Sequence, residues 1–251
     1  MQKQLFDYDR KIMNAAGSLG FSPDSHGPID PKELGMFITN PISLRPRKAA
    51  NGPRLIHYSG GALFHTGHPN PGLKSILKSY RSSWARADLP ILVHLLAASP
   101  EENTTMTQLL EEIENVAGIE LGFPNEVDAK TVKVIVNSAL GELPIMARVP
   151  LSNVIELGET AFEAGASLIS IGPPRGAVTL PTKEKIFGRL YGPSLFPQVL
   201  ATVSNLVARN IPVVGGGGVY NTDQVNDLLE AGAAGVQLDT ILWQGDFFDE
   251  G

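Results

Sequence analysis

The feature that most constrains this chain is an alternation of short apolar segments, rich in branched residues, with amphipathic helical stretches. Eight apolar segments of this kind lie at residues 12–15, 36–39, 91–96, 119–123, 144–149, 167–171, 212–214 and 235–241. Several helical stretches end at a glycine that leads directly into the next apolar segment, as at Gly165 and Gly232. Strands that alternate with helices in this way form a parallel sheet.

The stretch that follows the third apolar segment shows how clearly one helix is marked. Ser99 offers an N-cap hydroxyl, Pro100 suits the first helical position, and Glu102 stands at the third. Apolar residues then recur at helical spacing, and we expect Gly118 to close the helix.

Eight strand and helix units in 251 residues favour a closed (β/α)8 barrel, a TIM barrel, over an open doubly wound sheet. We expect one domain that covers residues 1–251. Only residues 242–251 follow the eighth segment, so the final helix should be truncated or missing. Trp243, Phe247 and Phe248 are then expected to cover the gap or to meet another subunit, which predicts a homo-oligomer formed through the carboxyl-terminal region.

Two connections, residues 41–72 and 173–191, are longer than turns and are predicted to be lids or binding loops. By contrast, the Lys74 to Tyr80 stretch and the Lys183 turn are expected to be ordinary surface structure.

Composition excludes several classes of function. The chain has no cysteine, which removes disulfides, thiolate metal sites and thiol bases. Its net charge is −6 and its 20 basic residues are scattered, which argues against nucleic acid and against an anionic membrane surface. No apolar run has the length of a membrane span, and the first ten residues lack a signal core. We therefore expect a cytoplasmic protein with a small-molecule partner.

Four consecutive glycines, residues 215–218, follow the seventh apolar segment. Without side chains in the way, their backbone N–H groups can close on an anion. In phosphate-binding barrels such a turn faces the end of the next strand, here Gln237-Leu238-Asp239-Thr240. The alternative is a glycine bulge at a crowded barrel rim, and the carboxylate of Asp239 would repel a phosphate if it pointed inward.

The order of motifs resembles the dihydroorotate dehydrogenase family, FMN enzymes built on this barrel. The matching segments are Asn14-Ala15-Ala16-Gly17, Phe37-Ile38-Thr39-Asn40, Leu44-Arg45-Pro46-Arg47, Pro69-Asn70-Pro71-Gly72, Phe123-Pro124-Asn125, Gly188-Arg189-Leu190-Tyr191-Gly192-Pro193-Ser194, the glycine turn and residues 237–242. The resemblance implies FMN contacts from Ala15, Ala16, Gly17, Asn40, Arg148, Gly192, Gly216, Gly217, Gly218, Asp239 and Thr240. It implies substrate contacts from Asn70 and Asn125.

The chain departs from the family where the family's chemistry is done. Phe123 stands where the resemblance places the catalytic base, and Asn40 stands where it places a lysine beside the flavin. Phe64, Glu120 and Pro173 replace asparagines expected around the substrate. We therefore expect an FMN-dependent oxidoreductase that acts on a different small substrate. The alternatives are a non-redox lyase or isomerase of a phosphorylated metabolite, and a non-catalytic subunit that binds one.

Three polar residues lie in neighbouring apolar segments whose ends should converge at the barrel mouth: His94, Glu120 and Arg148. Arg148 is a candidate flavin contact, or else a buried partner of Glu120. His94 and Glu120 form a candidate proton-transfer pair, although a lone histidine in an apolar strand is more often a satisfied core residue.

His65 and His68 lie in the first long connection, in a His-x-x-His arrangement. Because no cysteine or acidic residue stands at ligand spacing, we predict no metal site here. We expect instead that one imidazole reaches the flavin as a replacement base.

Overall fold

The structure is a computed structural model that describes residues 10–244 and 247–248. Its strands are β1 (Ile12–Asn14), β2 (Phe37–Ile38), β3 (Leu55–Tyr58), β4 (Gly61–Phe64), β5 (Ile91–Leu96), β6 (Val116–Gly122), β7 (Ile145–Pro150), β8 (Leu168–Gly172), β9 (Arg175–Thr179), β10 (Lys185–Tyr191), β11 (Val213–Gly216) and β12 (Gly235–Leu238). Its α-helices are α1 (Leu73–Ala85), α2 (Pro100–Glu111), α3 (Ala129–Ala139), α4 (Val154–Glu163), α5 (Phe196–Ala208) and α6 (Thr222–Glu230).

Eight of these strands form one parallel sheet in the order β1-β12-β11-β8-β7-β6-β5-β2. A parallel bridge between Met13 and Met36 joins the two edge strands, so that the sheet closes into a ring. Each of the eight predicted apolar segments supplies one strand of this ring. The predicted (β/α)8 barrel is confirmed.

The start of α2 is built as its sequence predicts, but its end is not. Ser99 Oγ accepts a hydrogen bond from the Glu102 N–H group, with Pro100 at the first helical position. The prediction that Gly118 closes this helix is wrong, because Gly118 lies inside β6. The chain turns instead at Asn115, whose φ of 64° is left-handed and whose side-chain amide donates to three backbone carbonyls.

The apolar core has two parts. A large cluster lies between the sheet and its helices, and a small cluster fills the inside of the ring. The small cluster contains Met13, Met36, Ile38, Leu92, Met146, Leu168 and Val214. Side chains of this size pack the interior as a solid core, so any ligand must bind above it, at one end of the barrel.

The two long connections fold together into a second sheet, which the sequence did not predict. Its four antiparallel strands run in the order β3-β4-β10-β9. A hairpin signal was present at Ser59-Gly60, between two short runs of alternating exposure. This sheet contributes one wall of the cavity described below. Of the segments predicted as lids or binding loops, residues 173–191 are therefore mostly strand, and residues 41–72 contain one hairpin.

The truncation of the final helix stays a prediction, because residues 245–246 and 249–251 lie outside the described part. A 3-10 turn, Thr240–Trp243, follows β12, and no α-helix comes after it in the described residues. Trp243 Nε1 donates to the Ser18 carbonyl at 2.7 Å, and its ring stacks on Phe64. Phe247 is buried in the core. The residues that follow 248 lie outside the described part, and the homo-oligomer stays a prediction.

Within the described residues, no helix has the length and apolar character needed to cross a bilayer.

Candidate functional site

A cavity of about 400 Å³ lies at the carboxyl end of the barrel strands, between the barrel and the second sheet. Residues at or just after the ends of β5, β6, β7 and β8 line it on one side, and residues of β9 and β10 line it on the other. A larger depression of about 580 Å³ lies at the opposite end, beside Gly35 and Pro90, which precede β2 and β5. Because barrel enzymes place their chemistry at the carboxyl ends of the strands, the first cavity is the candidate site.

His94 and Glu120 meet beneath this cavity, as neighbouring strands of the ring require. His94 Nδ1 lies 2.5 Å from Glu120 Oε2, and Glu120 is fully buried. Burial alone would raise the pKa of Glu120, but Arg148, His94 and Gln237 outweigh it and hold that pKa at about 2. Burial lowers the pKa of His94, although the bond to Glu120 opposes the shift. A neutral imidazole therefore donates its Nδ1–H group to a carboxylate.

The other imidazole nitrogen, Nε2, lies over Gly122 at the cavity wall. A Cβ atom on residue 122 would overlap the ring, so the glycine is required for the ring's position. With Nδ1 protonated, Nε2 carries a free lone pair. The pair predicted as a proton-transfer dyad therefore has the geometry of one.

The second carboxylate oxygen of Glu120 is held by two donors that the sequence did not indicate. Ser170 Oγ and Gln237 Nε2 each donate to Glu120 Oε1 at 2.7 Å. Arg148 Nη1 donates to Gln237 Oε1 at 3.1 Å and lies 3.6 Å from Glu120 Oε2. Arg148 also lines the cavity, so it is both an ion-pair partner and a cavity residue. Five barrel strands share this network.

The position where the family places its base is occupied by an apolar ring. Phe123 is buried and lines the cavity. Phenylalanine has no atom that can accept a proton, so any base must come from another residue. Asn125, two residues further on, also lines the cavity, and its predicted substrate contact stays a prediction.

Asn70 is not among the residues that line the cavity, and its predicted substrate contact stays a prediction. Its carbonyl oxygen accepts from the Gly72 N–H group at 3.0 Å, and its amide donates to Ser43 Oγ and to the His68 carbonyl. These bonds use the side chain to shape the connection after β4.

The two loop histidines, His65 and His68, make different contacts. His65 Nδ1 donates to the Phe187 carbonyl at 2.8 Å at the cavity rim. His68 Nε2 is buried without a hydrogen-bond partner among the described residues. Burial and Arg189 lower the pKa of His68 to about 2, so its imidazole is neutral. No group of three His, Asp or Glu side chains that could hold a metal ion occurs in the described part of the chain.

A smaller cavity of about 60 Å³ adjoins the first and shares Ala16, His68 and Arg189 with it. It brings together five residues predicted to contact the cofactor: Ala15, Ala16, Gly17, Asp239 and Thr240. Asn40 lies elsewhere, where its side-chain oxygen accepts from the Gly20 N–H group.

The glycine turn has the backbone expected of an anion cradle. Gly217 and Gly218 have φ values of 111° and 74°, and their N–H groups donate to no described residue. Since Gly218 is buried, its free donor is unusual. A Cβ atom there would lie 2.6 Å from the Phe196 backbone nitrogen and 2.9 Å from the Gly192 carbonyl oxygen. Gly216 belongs to β11. None of the four glycines of the turn, residues 215–218, lines either cavity.

Asp239 occupies part of the predicted cradle. Its Oδ1 atom accepts from the Thr240 N–H group at 2.5 Å and from Thr240 Oγ1 at 3.1 Å. Burial raises the pKa of this carboxyl, and it forms no ion pair with a described cation. One donor expected to serve a phosphate is therefore already used by the chain itself.

Comparison with known proteins gives a consistent result. The family model described as dihydroorotate dehydrogenase matches residues 4–140. The dihydroorotate dehydrogenase B (NAD(+)) catalytic subunit of Pelobacter propionicus is 26% identical over 250 residues, which cover 91% of this chain and 82% of that protein. The subunit of the same name from Pyrococcus abyssi is 25% identical over 261 residues, with 96% and 86% covered.

Proposed function

The chain belongs to the dihydroorotate dehydrogenase family, whose enzymes use FMN, and on this premise we propose that it is an FMN-dependent oxidoreductase with a substrate other than dihydroorotate. One observation carries the proposal. The family's base position holds Phe123, while a different proton acceptor, His94, is already oriented by Glu120 at the same cavity.

The residues of the barrel mouth fit FMN in most respects. Gly217 and Gly218 offer N–H groups without described partners, as a phosphate requires. Ala16 and Gly17 offer two more beside the smaller cavity. We propose that the glycine turn would hold the phosphate and that Ala16, Gly17 and Arg148 would contact the ring. Asp239 is the residue that fits least, because its charge opposes that of a phosphate.

In this proposal the protein's part is to bind, orient and deprotonate, while FMN, when bound, supplies a hydride acceptor. His94 takes the substrate proton at Nε2, which is unprotonated at neutral pH because burial lowers the pKa of the imidazole. Glu120 is a positioning residue, since it contacts His94 and not the cavity. The guanidinium of Arg148 can stabilise negative charge that develops on the ring.

The substrate claim rests on lost hydrogen-bond partners. Phe64 and Pro173 line the cavity at positions where the resemblance implied asparagines. A polar substrate group left unpaired costs about 1–3 kcal/mol. Several such losses at one site make dihydroorotate a poor substrate.

Dihydroorotate itself is the second candidate, because the names of the similar proteins favour it. One experiment separates the two. FMN-loaded protein is mixed with dihydroorotate without oxygen, and the flavin absorbance is followed. We expect no rapid bleaching. Rapid bleaching would establish the second candidate, and a protein that takes up no FMN would favour the non-redox alternatives.

A further inference from the structure

We propose that the cavity of about 400 Å³ at the carboxyl ends of the strands binds a small dianion. We propose also that the substrate of the oxidoreductase carries two negative charges. The second statement rests on the proposed function, whereas the first does not. Dihydroorotate has a single carboxylate, so the inference also sharpens the claim that the substrate differs.

The cavity is surrounded by cations. Four arginines line it, from the connection before β3 and from β7, β9 and β10: Arg47, Arg148, Arg175 and Arg189. No aspartate or glutamate occurs among the described residues of its wall. The overall charge of the chain is negative, so this concentration of positive charge is local.

Two of these arginines are placed where they repel each other. Arg175 and Arg189 are direct partners in the register of β9 and β10. Like charges directly opposite each other in an antiparallel pair are destabilising. Neither forms an ion pair with a described carboxylate, whereas Arg148 forms one with Glu120. An anion between the strands would relieve the repulsion.

A buried polar atom of His68 is the second observation at this cavity. Its Nε2 atom is buried, has no described hydrogen-bond partner and belongs to a residue that lines the same cavity. Buried side-chain nitrogens of this kind are normally bonded. The Asn70 amide, which donates to the His68 carbonyl, holds the loop in this position.

The charge count favours a dianion over a monoanion. Glu120 compensates Arg148, which leaves Arg189 half-buried and Arg47 and Arg175 exposed at the rim. Three of the four arginines of the wall are then uncompensated, and one negative charge would leave two of them so. Two carboxylates, or one phosphate monoester, would supply the charge that arginine recognises best.

The test uses isothermal titration of the purified protein at constant ionic strength, with succinate, inorganic phosphate and acetate. We expect at least one dianion to bind, and acetate to bind far more weakly. Arg189→Gln should weaken dianion binding about tenfold or more, since it removes a charge-assisted contact. Arg81→Gln makes the same charge change on exposed α1 and should leave the affinity unaltered.

Comparison of the three titrated ligands identifies the class of anion that binds. Binding of succinate alone indicates a dicarboxylate, and binding of phosphate alone indicates a phosphate ester. Phosphate held by the glycine turn would not respond to Arg189→Gln, and neither would an adventitious ion. Affinity equal for acetate and the dianions, or indifferent to this substitution, overturns the proposal.

His68→Ala gives a second reading, because it removes the unpaired nitrogen without changing the charge. We expect weaker dianion binding with an unchanged melting temperature. Flavin content is recorded separately by absorbance. A protein without flavin that still binds succinate through Arg189 would refute the oxidoreductase and leave the dianion site intact.

Discussion

Glu120 and Asp239 are both buried carboxylates at the same end of the barrel, yet their surroundings are opposite. Glu120 has four polar partners, one of them a guanidinium, and its pKa falls to about 2. Asp239 accepts only from its own neighbour, Thr240, and burial raises its pKa. The barrel compensates the charge of Glu120, whereas Asp239 is desolvated without a compensating ion pair.

The difference separates two tasks. The network around Glu120 is complete without a ligand, so it can hold His94 in one orientation before any substrate arrives. The region around Asp239 is incomplete, because Gly217 and Gly218 keep free donors while a carboxylate takes the Thr240 N–H group. The first region is therefore preorganised for proton transfer. The second must change its protonation or its contacts when a phosphate binds.

The largest expected effect comes from His94, the group that the Glu120 network serves. His94→Ala should lower turnover with the true substrate by about 10²–10⁴-fold, the usual contribution of general acid–base catalysis, while FMN affinity stays the same. Steady-state kinetics and a flavin titration measure both. His65→Ala is the matched control, since His65 bonds to a carbonyl at the rim. Equal losses in the two variants would contradict the assignment.

Glu120→Ala tests the compensated carboxylate directly. It leaves Arg148 without its counter-charge in a buried site, so the free energy of unfolding should fall by about 3–5 kcal/mol. Urea denaturation measures this. The control, Glu159→Ala, removes an ion pair with Arg209 that is largely exposed, and should cost about 1 kcal/mol or less. Similar costs for both would show that the network does not bear on stability.

The two carboxylates predict opposite responses to acid. Because the folded pKa of Glu120 is depressed to about 2, its stabilisation is complete above its unfolded pKa of roughly 4.5 and is lost as the pH falls toward 2, about 3 kcal/mol in all. The raised pKa of Asp239 has the reverse sign, so stability falls as the pH rises past its unfolded pKa. In Glu120→Gln, the free energy of unfolding should lose most of its dependence on pH between about 2 and 4.5.

Asp239→Asn should produce the smallest change, and in the opposite direction. Removing an uncompensated charge should raise the free energy of unfolding at neutral pH by about 1 kcal/mol and tighten FMN binding about tenfold. Fluorescence titration with FMN and urea denaturation report the two effects. Asp88→Asn makes the same change at an exposed position. Weaker FMN binding by Asp239→Asn would mean that the carboxylate is a ligand rather than an obstacle.

The sequence predicted the barrel well because its signal is local. Each strand of the ring is a short apolar run, and most of them stand next to a helix, which in some cases has a side-chain cap such as Ser99. Apart from the Ser59-Gly60 turn, the second sheet gives no such local signal, because β4 pairs with β10 across the chain, with Phe64 opposite Arg189. Short, half-exposed strands of this kind are recognised only through their partners.

The site divides in the same way. His94, Glu120 and Arg148 could be predicted to meet because they occupy adjacent strands, with His94 opposite Glu120 and Arg148 opposite Gly122. The bond from Arg148 to Gln237 could not, since it crosses the closed ring. The free nitrogen of His68 also depends on tertiary packing, and no pattern in the sequence indicates it.

The visible absorbance spectrum of the protein, purified without added flavin and again after incubation with FMN and dialysis, tests the central claim most directly. We predict flavin bands in a stoichiometric amount, shifted from those of free FMN by the apolar and cationic mouth of the barrel. A protein that stays colourless after incubation would contradict the account. The mouth would then hold some other anion, and the paired His94 and Glu120 would need a different chemistry.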